Sequence, residues 1–236
     1  MKADSVNYGG AIALSLIGVW SISLIVLLHL DISIQPIWLI VPAIVWQMFL
    51  YTGLFVTGHD AIHRVVYPKN QKLNDRVGSF VLFCYGFNSY QKLAKKHWLH
   101  HNHPASQIDP DFHPGQQNYP IVWYYHFMKG YFGWEQLLGF NAIFHGSKII
   151  LQIPYINLIL FWLIPLGLSS IQLFYFGTFI PHLEPEGGYS NSHRARTIPR
   201  SFFWSLITCY HFGYHLEHHE HPHIPWWGLP AIVKKI

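Results

Sequence analysis

Residues 34–63 read IQPIWLIVPAIVWQMFLYTGLFVTGHDAIH. The part from Ile34 to Gly58 is apolar enough to cross a membrane, since a transmembrane helix needs about 20 mostly apolar residues in succession. This apolar run leads directly into His59 and His63, which a spacing of four residues places on one face of a helix. The stretch therefore predicts a membrane-spanning helix that carries two histidines at the membrane–water boundary.

The rest of the chain also has a membrane composition. Charged residues make up only 11% of the 236 residues, and hydrophobic residues make up 51%, whereas a soluble domain is about 25% charged. A first apolar segment from Gly9 to Leu30 contains no Lys, Arg, Asp or Glu. No small-residue cleavage site follows it, which favours a retained transmembrane helix over a signal peptide. We expect an all-α integral membrane protein in which residues 1–236 form a single domain.

The apolar stretch from Ile153 to Ile180 is longer than one membrane span and shorter than two. If the C-terminal histidines join the earlier histidines on one side of the membrane, an even number of membrane crossings must lie between them. We therefore predict a short hairpin bent at Pro165-Leu-Gly167, and about four transmembrane helices in two hairpins. The shorter apolar run from Val77 to Tyr90 is expected to be buried or re-entrant.

Two further histidine clusters repeat the helical spacing of the first. The three clusters are box one, His59-Asp-Ala-Ile-His63, box two, His97-Trp-Leu-His-His101, and box three, His215-Leu-Glu-His-His219. With 18 His among 236 residues, the pattern HxxHH is expected roughly 0.1 times by composition, and it occurs twice. Neutral imidazole is the commonest side-chain metal ligand. Eight imidazoles exceed what one first-row metal takes and suit two.

The ligand type and its position narrow the chemistry. Structural zinc usually recruits Cys, and soluble di-iron proteins use two Glu-x-x-His motifs, a pair that this chain lacks because Glu220-His-Pro-His223 is its single example. Iron with open coordination positions binds O₂ and attacks unactivated C–H bonds. Transporters place their ligand sites near the bilayer midplane, whereas His59 directly follows an apolar segment. The sequence therefore favours a histidine-only di-iron centre at the membrane interface.

The formal net charge of +4 raises the question of a nucleic-acid partner. The basic residues instead follow the second apolar segment and the last one. The short link between the first two segments carries a single charged residue, Asp31. By the positive-inside rule the link is outside and the boxes are cytoplasmic. Lipid headgroups, not nucleic acid, are the expected anionic partner. The basic residues are Lys69, Lys72, Arg76, Lys92, Lys95, Lys96, Arg194, Arg196, Arg200, Lys234 and Lys235.

Several pieces of the chain together resemble a known family. They are Tyr51–His63, His97–Pro104, Asp109-Pro-Asp111, Phe176–His182, Cys209–His219 and Pro225–Pro230. The three boxes resemble the membrane fatty-acid desaturase/hydroxylase superfamily. The pieces between them, with the short first box, are most similar to the bacterial and cyanobacterial β-carotene ketolases.

The resemblance implies an O₂-dependent oxygenase that holds two non-haem iron ions and acts at C4 of a β-ionone ring. Two hydroxylations would give a geminal diol, which loses water to leave a ketone, so that β-carotene becomes echinenone and then canthaxanthin. Electrons would come from a ferredoxin-type donor. Two alternatives stay open: a fatty-acyl desaturase or hydroxylase with the same metal site, and a divalent-metal transporter or storage protein.

The predicted metal ligands are the box histidines together with one further residue, His182. On a helix His182 shares a face with Thr178, and it is either a ninth ligand or an interfacial histidine satisfied by water. Asp60 and His182 are the candidate catalytic residues. Four carboxylates near the boxes either orient ligand imidazoles through the distal N–H or act as caps and surface charges; they are Asp60, Asp109, Asp111 and Glu217. The nine predicted ligands are His59, His63, His97, His100, His101, His182, His215, His218 and His219.

Overall fold

The computed structural model describes residues 8–113 and 119–233. These residues form an all-helical fold, as the sequence predicts, with one isolated β-bridge between Thr197 and Tyr214. The main helices are α1 (Gly9–Leu28), α2 (Ile37–Ile62), α3 (Gln71–Gly86), α4 (Tyr90–Asn102), α5 (Pro120–Tyr131), α6 (Trp134–Ile150), α7 (Tyr155–His182), α8 (Phe202–Cys209), α9 (His215–Glu220) and α10 (Pro230–Val233). Lys234 and Lys235 lie outside the described residues.

Among the described residues, three helices are long and apolar enough to span a membrane: α1, α2 and α7. Helices α1 and α2 form an antiparallel hairpin around a short 3₁₀ turn at Ile32–Ile34. Much of their outer surface is exposed and apolar, as in Ile22, Ile25 and Trp38. Lipid is the solvent that such a surface needs. The protein is an integral membrane protein with several membrane-crossing helices.

The predicted hairpin at Pro165-Leu-Gly167 is wrong, because residues Tyr155–His182 form one continuous helix. The chain accommodates Pro165 by forming a π-helical turn just before it, at Ile159–Leu163. A second π turn at Tyr175–Phe179 comes just before Pro181. Proline lacks an N–H and clashes with the carbonyl four residues earlier. A wider turn at that point relieves both conflicts without breaking the helix.

The second hairpin does exist, but α6 supplies its other arm. Phe144 stacks on Tyr155 with ring centroids 5.1 Å apart, and Phe140 lies 5.7 Å from Trp162, so α6 runs antiparallel to α7. The turn between them comprises residues 151–154. The 17 residues of α6 measure about 25 Å at about 1.5 Å per residue. The sequence pattern did not indicate this arm of the hairpin because α6 is mixed in polarity.

Contacts at the two ends of the α6–α7 hairpin show that it extends from α4, which carries box two, to the far end of α1. At its start, Lys92 Nζ on α4 lies 2.7 Å from Glu135 on α6. At its turn, the side-chain amide of Asn157 donates to the carbonyl of Leu30, beyond the far end of α1, at 2.8 Å. Helices α6 and α7 therefore run in opposite directions between box two and box three, with the bend displaced from the predicted position. Of the two, only α7 is long and apolar enough, within the described residues, to span a membrane.

Helix α2 carries box one and packs closely on α3. A Cβ atom at Gly58 would lie 2.5 Å from Leu82 Cγ, and one at Gly78 would lie 2.7 Å from Ala61 Cβ. Only glycine allows the two helices to approach this closely. The amide of Asn74 on α3 also donates to the carbonyl of Ala61 at 2.8 Å, inside box one. The α2–α3 contact thus fixes the height and rotation of box one.

Candidate metal centre

The structure gathers the predicted histidines into two groups. The first group is His59, His63, His97 and His218, and the second group is His100, His182, His215 and His219. Within each group the potential ligand nitrogens lie within 4.8 Å of one another. Each group takes histidines from three helices, since α4 and α9 contribute to both, α2 to the first and α7 to the second. The whole centre therefore forms only when these four helices pack together.

The ring nitrogens converge at distances that suit a bound cation. Nε2 of His63 lies 2.7 Å from Nε2 of His97, Nε2 of His100 lies 3.1 Å from Nε2 of His219, and Nε2 of His182 lies 2.9 Å from Nε2 of His215. Two imidazoles at right angles around a first-row ion, each about 2.1 Å from it, have nitrogens about 3.0 Å apart. Lone pairs that meet at this distance repel one another unless a cation or proton lies between them. The geometry therefore fits two metal ions.

His101 belongs to neither four-residue group, yet it lies between them. Its Nε2 is 3.0 Å from Nε2 of His218, and its ring stacks on that of His219 with centroids 4.2 Å apart. The structure thus brings all nine predicted histidines into one cluster.

One candidate ligand on α4, His100, and the candidate ligand on α7, His182, are held by hydrogen bonds to their Nδ1 atoms. The carboxylate of Asp109 accepts from His100 Nδ1 at 3.0 Å and also from the backbone N–H of Ala105 at 2.8 Å. The carbonyl of Arg194 accepts from His182 Nδ1 at 2.9 Å. In both histidines the proton therefore resides on Nδ1, which leaves the Nε2 lone pair directed into the cluster.

The other three carboxylates have different partners. Asp60 Oδ2 accepts from the backbone N–H of Trp226 at 3.2 Å, and its Oδ1 lies 3.6 Å from His59 Nδ1. Glu217 accepts from Thr197 Oγ1 at 2.7 Å. Asp60 and Glu217 therefore tie box one and box three to neighbouring segments. Asp111 accepts a hydrogen bond from the hydroxyl of Tyr131, and its Oδ2 lies 3.8 Å from His100 Nδ1.

Most of these imidazoles are neutral near physiological pH. Burial, reinforced by neighbouring histidines, holds the pKa of His97, His218 and His219 well below the usual range, and a neutral ring is the form that binds metal. His100 differs. Burial opposes its charging, but the hydrogen bond to Asp109 and the charges of Asp111 and Asp109 outweigh that effect and raise the pKa of His100.

A cavity of about 410 Å³ opens onto this cluster. His59 and His97 of the first group and His215 of the second line it at one end. Apolar side chains form most of the remaining wall, including Phe55, Ile62, Phe127, Phe140, Leu166 and Phe212. Its few polar groups include Asp111 and Tyr131. The cavity suits an apolar molecule whose reacting carbon lies at the histidine end.

Sequence reasoning did not assign Tyr131, which both lines the cavity and donates to Asp111. Its helix α5 follows a polar segment, of which residues 114–118 are outside the described structure, and no spacing rule connects a lone tyrosine to the boxes. Asp60, by contrast, was a candidate catalytic residue, and it is not among the side chains that line the cavity.

Comparison with known proteins agrees with this centre. The fatty acid desaturase family model matches residues 36–155 and 138–236. The chain belongs to the fatty acid desaturase family. It is 38% identical over 236 residues to a β-carotene ketolase of Paracoccus sp. (strain N81106 / MBIC 01143), which covers 99% of this chain and 96% of that protein. It is 40% identical over 206 residues to the β-carotene ketolase of Paracoccus sp. (strain PC1), which covers 87% of this chain and 83% of that protein.

A third relative is a longer protein than this chain. The zeaxanthin 4-ketolase of Chlamydomonas reinhardtii is 40% identical over 198 residues, which is 82% of this chain. The chain spans only 44% of the length of that algal protein.

Proposed function

We propose that this protein is a β-carotene 4-ketolase, an O₂-dependent oxygenase that introduces keto groups at C4 and C4′ of β-ionone rings. The observation that carries the proposal is the apolar cavity that ends at His59, His97 and His215. A carotenoid is apolar along its whole length, so it can enter this cavity from the bilayer and present a ring to the histidines. The ketolase names of the relatives support the same substrate class.

We assign the nine clustered histidines as ligands of two non-haem iron ions. Iron held in this way would supply the activation of O₂ that attack on the allylic C–H bond at C4 requires. The protein's own groups do the rest. Asp109 and the Arg194 carbonyl fix the tautomers of His100 and His182. Asp60 is better placed to position box one, through Trp226, than to touch substrate.

The reaction proceeds by two hydroxylations at the same carbon. Each one inserts one oxygen atom of O₂ into a C–H bond and reduces the other to water, using two electrons and two protons. The first hydroxyl weakens the remaining C–H bond at C4, so the second oxidation follows while the apolar wall still holds the ring. The resulting geminal diol loses water to give the ketone without a dedicated catalytic residue.

The electrons come from a ferredoxin-type donor on the cytoplasmic side. Exposed basic residues lie on α3 and α4, beside the boxes, whereas Asp31 lies in the turn at the opposite end of the α1–α2 hairpin. The positive-inside rule supports a cytoplasmic centre. Because α2, α4, α7 and α9 all supply ligands, the chain is proposed to act as one domain.

Expression in a β-carotene-producing host tests the reaction. We expect echinenone and canthaxanthin to accumulate, and we expect the His63→Ala variant to leave β-carotene unchanged. A fatty-acyl desaturase or hydroxylase would instead alter the host's lipids and leave its pigments alone. A metal transporter would move divalent metal into vesicles without consuming O₂. Either result would replace the proposal.

A further inference from the structure

Trp98 connects the protein surface to the histidine cluster. Its side chain is 40% exposed. The same ring lies edge-on to His63, with centroids 5.1 Å apart, and 5.6 Å from the ring of His101. One aromatic side chain thus touches solvent or the membrane interface on one side and two candidate metal ligands on the other.

The position of Trp98 on α4 explains this double contact. Residues spaced three and four apart share a helix face, and the outer face of α4 comprises Gln91, Lys92, Lys95, Trp98, Leu99 and Asn102, all exposed. The inner face carries the buried Leu93 and His100. Helix α4 therefore separates the metal centre from the surface at this point. Trp98 is an aromatic side chain of α4 that contacts both.

The surface around Trp98 is basic. Lys95 is exposed three residues before it, and Arg64 is exposed directly after its ring neighbour His63. Three more exposed basic residues lie in the turn before α3 and in its first two turns: Lys69, Lys72 and Arg76. The nearby acidic groups are largely engaged: Asp75 accepts from the Tyr90 hydroxyl at 3.0 Å, and Glu135 pairs with Lys92 at 2.7 Å. Glu220, in the last turn of α9, is exposed.

We propose that an acidic one-electron carrier of the ferredoxin type docks on the Trp98 patch, which comprises Arg64, Lys95, Trp98 and Leu99. Trp98 is the positioning residue for electron entry. The proposal rests on the proposed function, which requires such a donor. An exposed aromatic surrounded by cations is the arrangement that gives affinity at its centre and steering at its rim. Each transfer oxidises the carrier by one electron and reduces one metal ion of the centre by one electron; Trp98 itself is not oxidised. Two such transfers supply each hydroxylation.

Donor binding tests the patch without depending on turnover. A reduced or oxidised plant-type ferredoxin is titrated onto the detergent-solubilised protein, in both its metal-free and iron-loaded forms. Trp98→Ala is expected to raise the Kd about tenfold, as for a moderate interface hot spot, and Trp98→Phe is expected to restore most of the affinity. Lys95→Glu is expected to raise the Kd roughly fivefold, because it removes an attraction and adds a repulsion, and to reduce the salt dependence of binding.

Matched controls separate this site from general effects. Lys148→Glu makes the same charge change near the far end of α6, and Trp204→Ala removes a ring that is 58% exposed on α8; both should bind ferredoxin like the wild type. Lys95→Glu should also keep wild-type ketone formation when ascorbate, which leaves O₂ available, replaces ferredoxin as the reductant.

The possible results are distinct. An unchanged Kd in both Trp98→Ala and Lys95→Glu overturns the docking site, even if the protein makes ketone. Failure of the wild type to form ketone with either reductant refutes the proposed function, while the binding data still decide the patch.

Discussion

His182 and His215 bring their Nε2 atoms to within 2.9 Å of each other, although one ends the membrane-spanning helix α7 and the other begins α9. This contact joins the transmembrane part of the fold to box three. It makes His182, a predicted ligand that lies outside the boxes, a member of the second histidine group.

His182→Ala is therefore expected to lose iron from the second group and to reduce ketone formation by more than about 100-fold, because even outer partners of ligands cost about 10–100-fold. Iron content of the purified protein and product yield measure this. His29→Ala, at the far end of α1 and bonded to the Ile25 carbonyl, is the matched control and should behave like the wild type. Full iron content in His182→Ala would remove it from the ligand set.

Asp109→Asn is expected to weaken iron binding about 10–100-fold. The carboxylate accepts from His100 Nδ1, Ala105 N–H and Asp111 N–H, and an amide has only one acceptor oxygen for these three donors. Competition with a chelator measures the affinity. Glu135→Gln, which alters an exposed carboxylate paired with Lys92, should leave iron binding unchanged. Equal affinity in both variants would show that Asp109 does not orient His100.

Gly167→Phe tests the cavity as the substrate site. A Cβ at Gly167 meets no atom within 4 Å, and Gly167 lines the cavity, so the new ring can fill the cavity without straining the helix. We expect a raised KM for β-carotene and much lower yield, with normal iron content. Gly146→Phe is the control, since a Cβ there also meets nothing within 4 Å and Gly146 is outside the cavity lining. Normal conversion by Gly167→Phe would place the substrate elsewhere.

Gly58→Ala tests the α2–α3 contact that positions box one. The added methyl would lie 2.5 Å from Leu82 Cγ, and such overpacking typically lowers the free energy of unfolding by about 1–3 kcal/mol. Thermal unfolding of the purified protein measures the loss. Adding Leu82→Ala should recover part of it, because the two sites share one contact. Additive losses in the double variant would contradict the close approach of the helices.

The histidine centre could be predicted from sequence because spacings of three and four residues fix which side chains share a helix face. That rule united His97 with His100 and His101, and the structure places all three in the cluster. The path of the chain between boxes two and three could not be predicted in the same way. Pro165 indicated a bend, but the π turn at Ile159–Leu163 absorbs it, and π turns have no sequence signal comparable to a helix cap.

The carboxylates show a second limit of the sequence. Asp109 was expected to orient an imidazole or to act as a cap, and it does both, since it accepts from His100 Nδ1 and from the backbone N–H groups of Ala105 and Asp111. Glu217 had the same alternatives, yet its partner is Thr197. Proximity in sequence to a box does not determine which way a side chain points. The same applies to Tyr131, whose link to Asp111 depends on how α5 packs against the loop after box two.

Oxidation of β-carotene by the purified, fully iron-loaded protein under ¹⁸O₂ with reduced ferredoxin tests the central claim most directly. The account predicts echinenone followed by canthaxanthin, little free 4-hydroxy product, and ¹⁸O in the ketone of samples quenched before exchange with water. Recovery of unchanged β-carotene, or products that are 3-hydroxylated or desaturated, would contradict it.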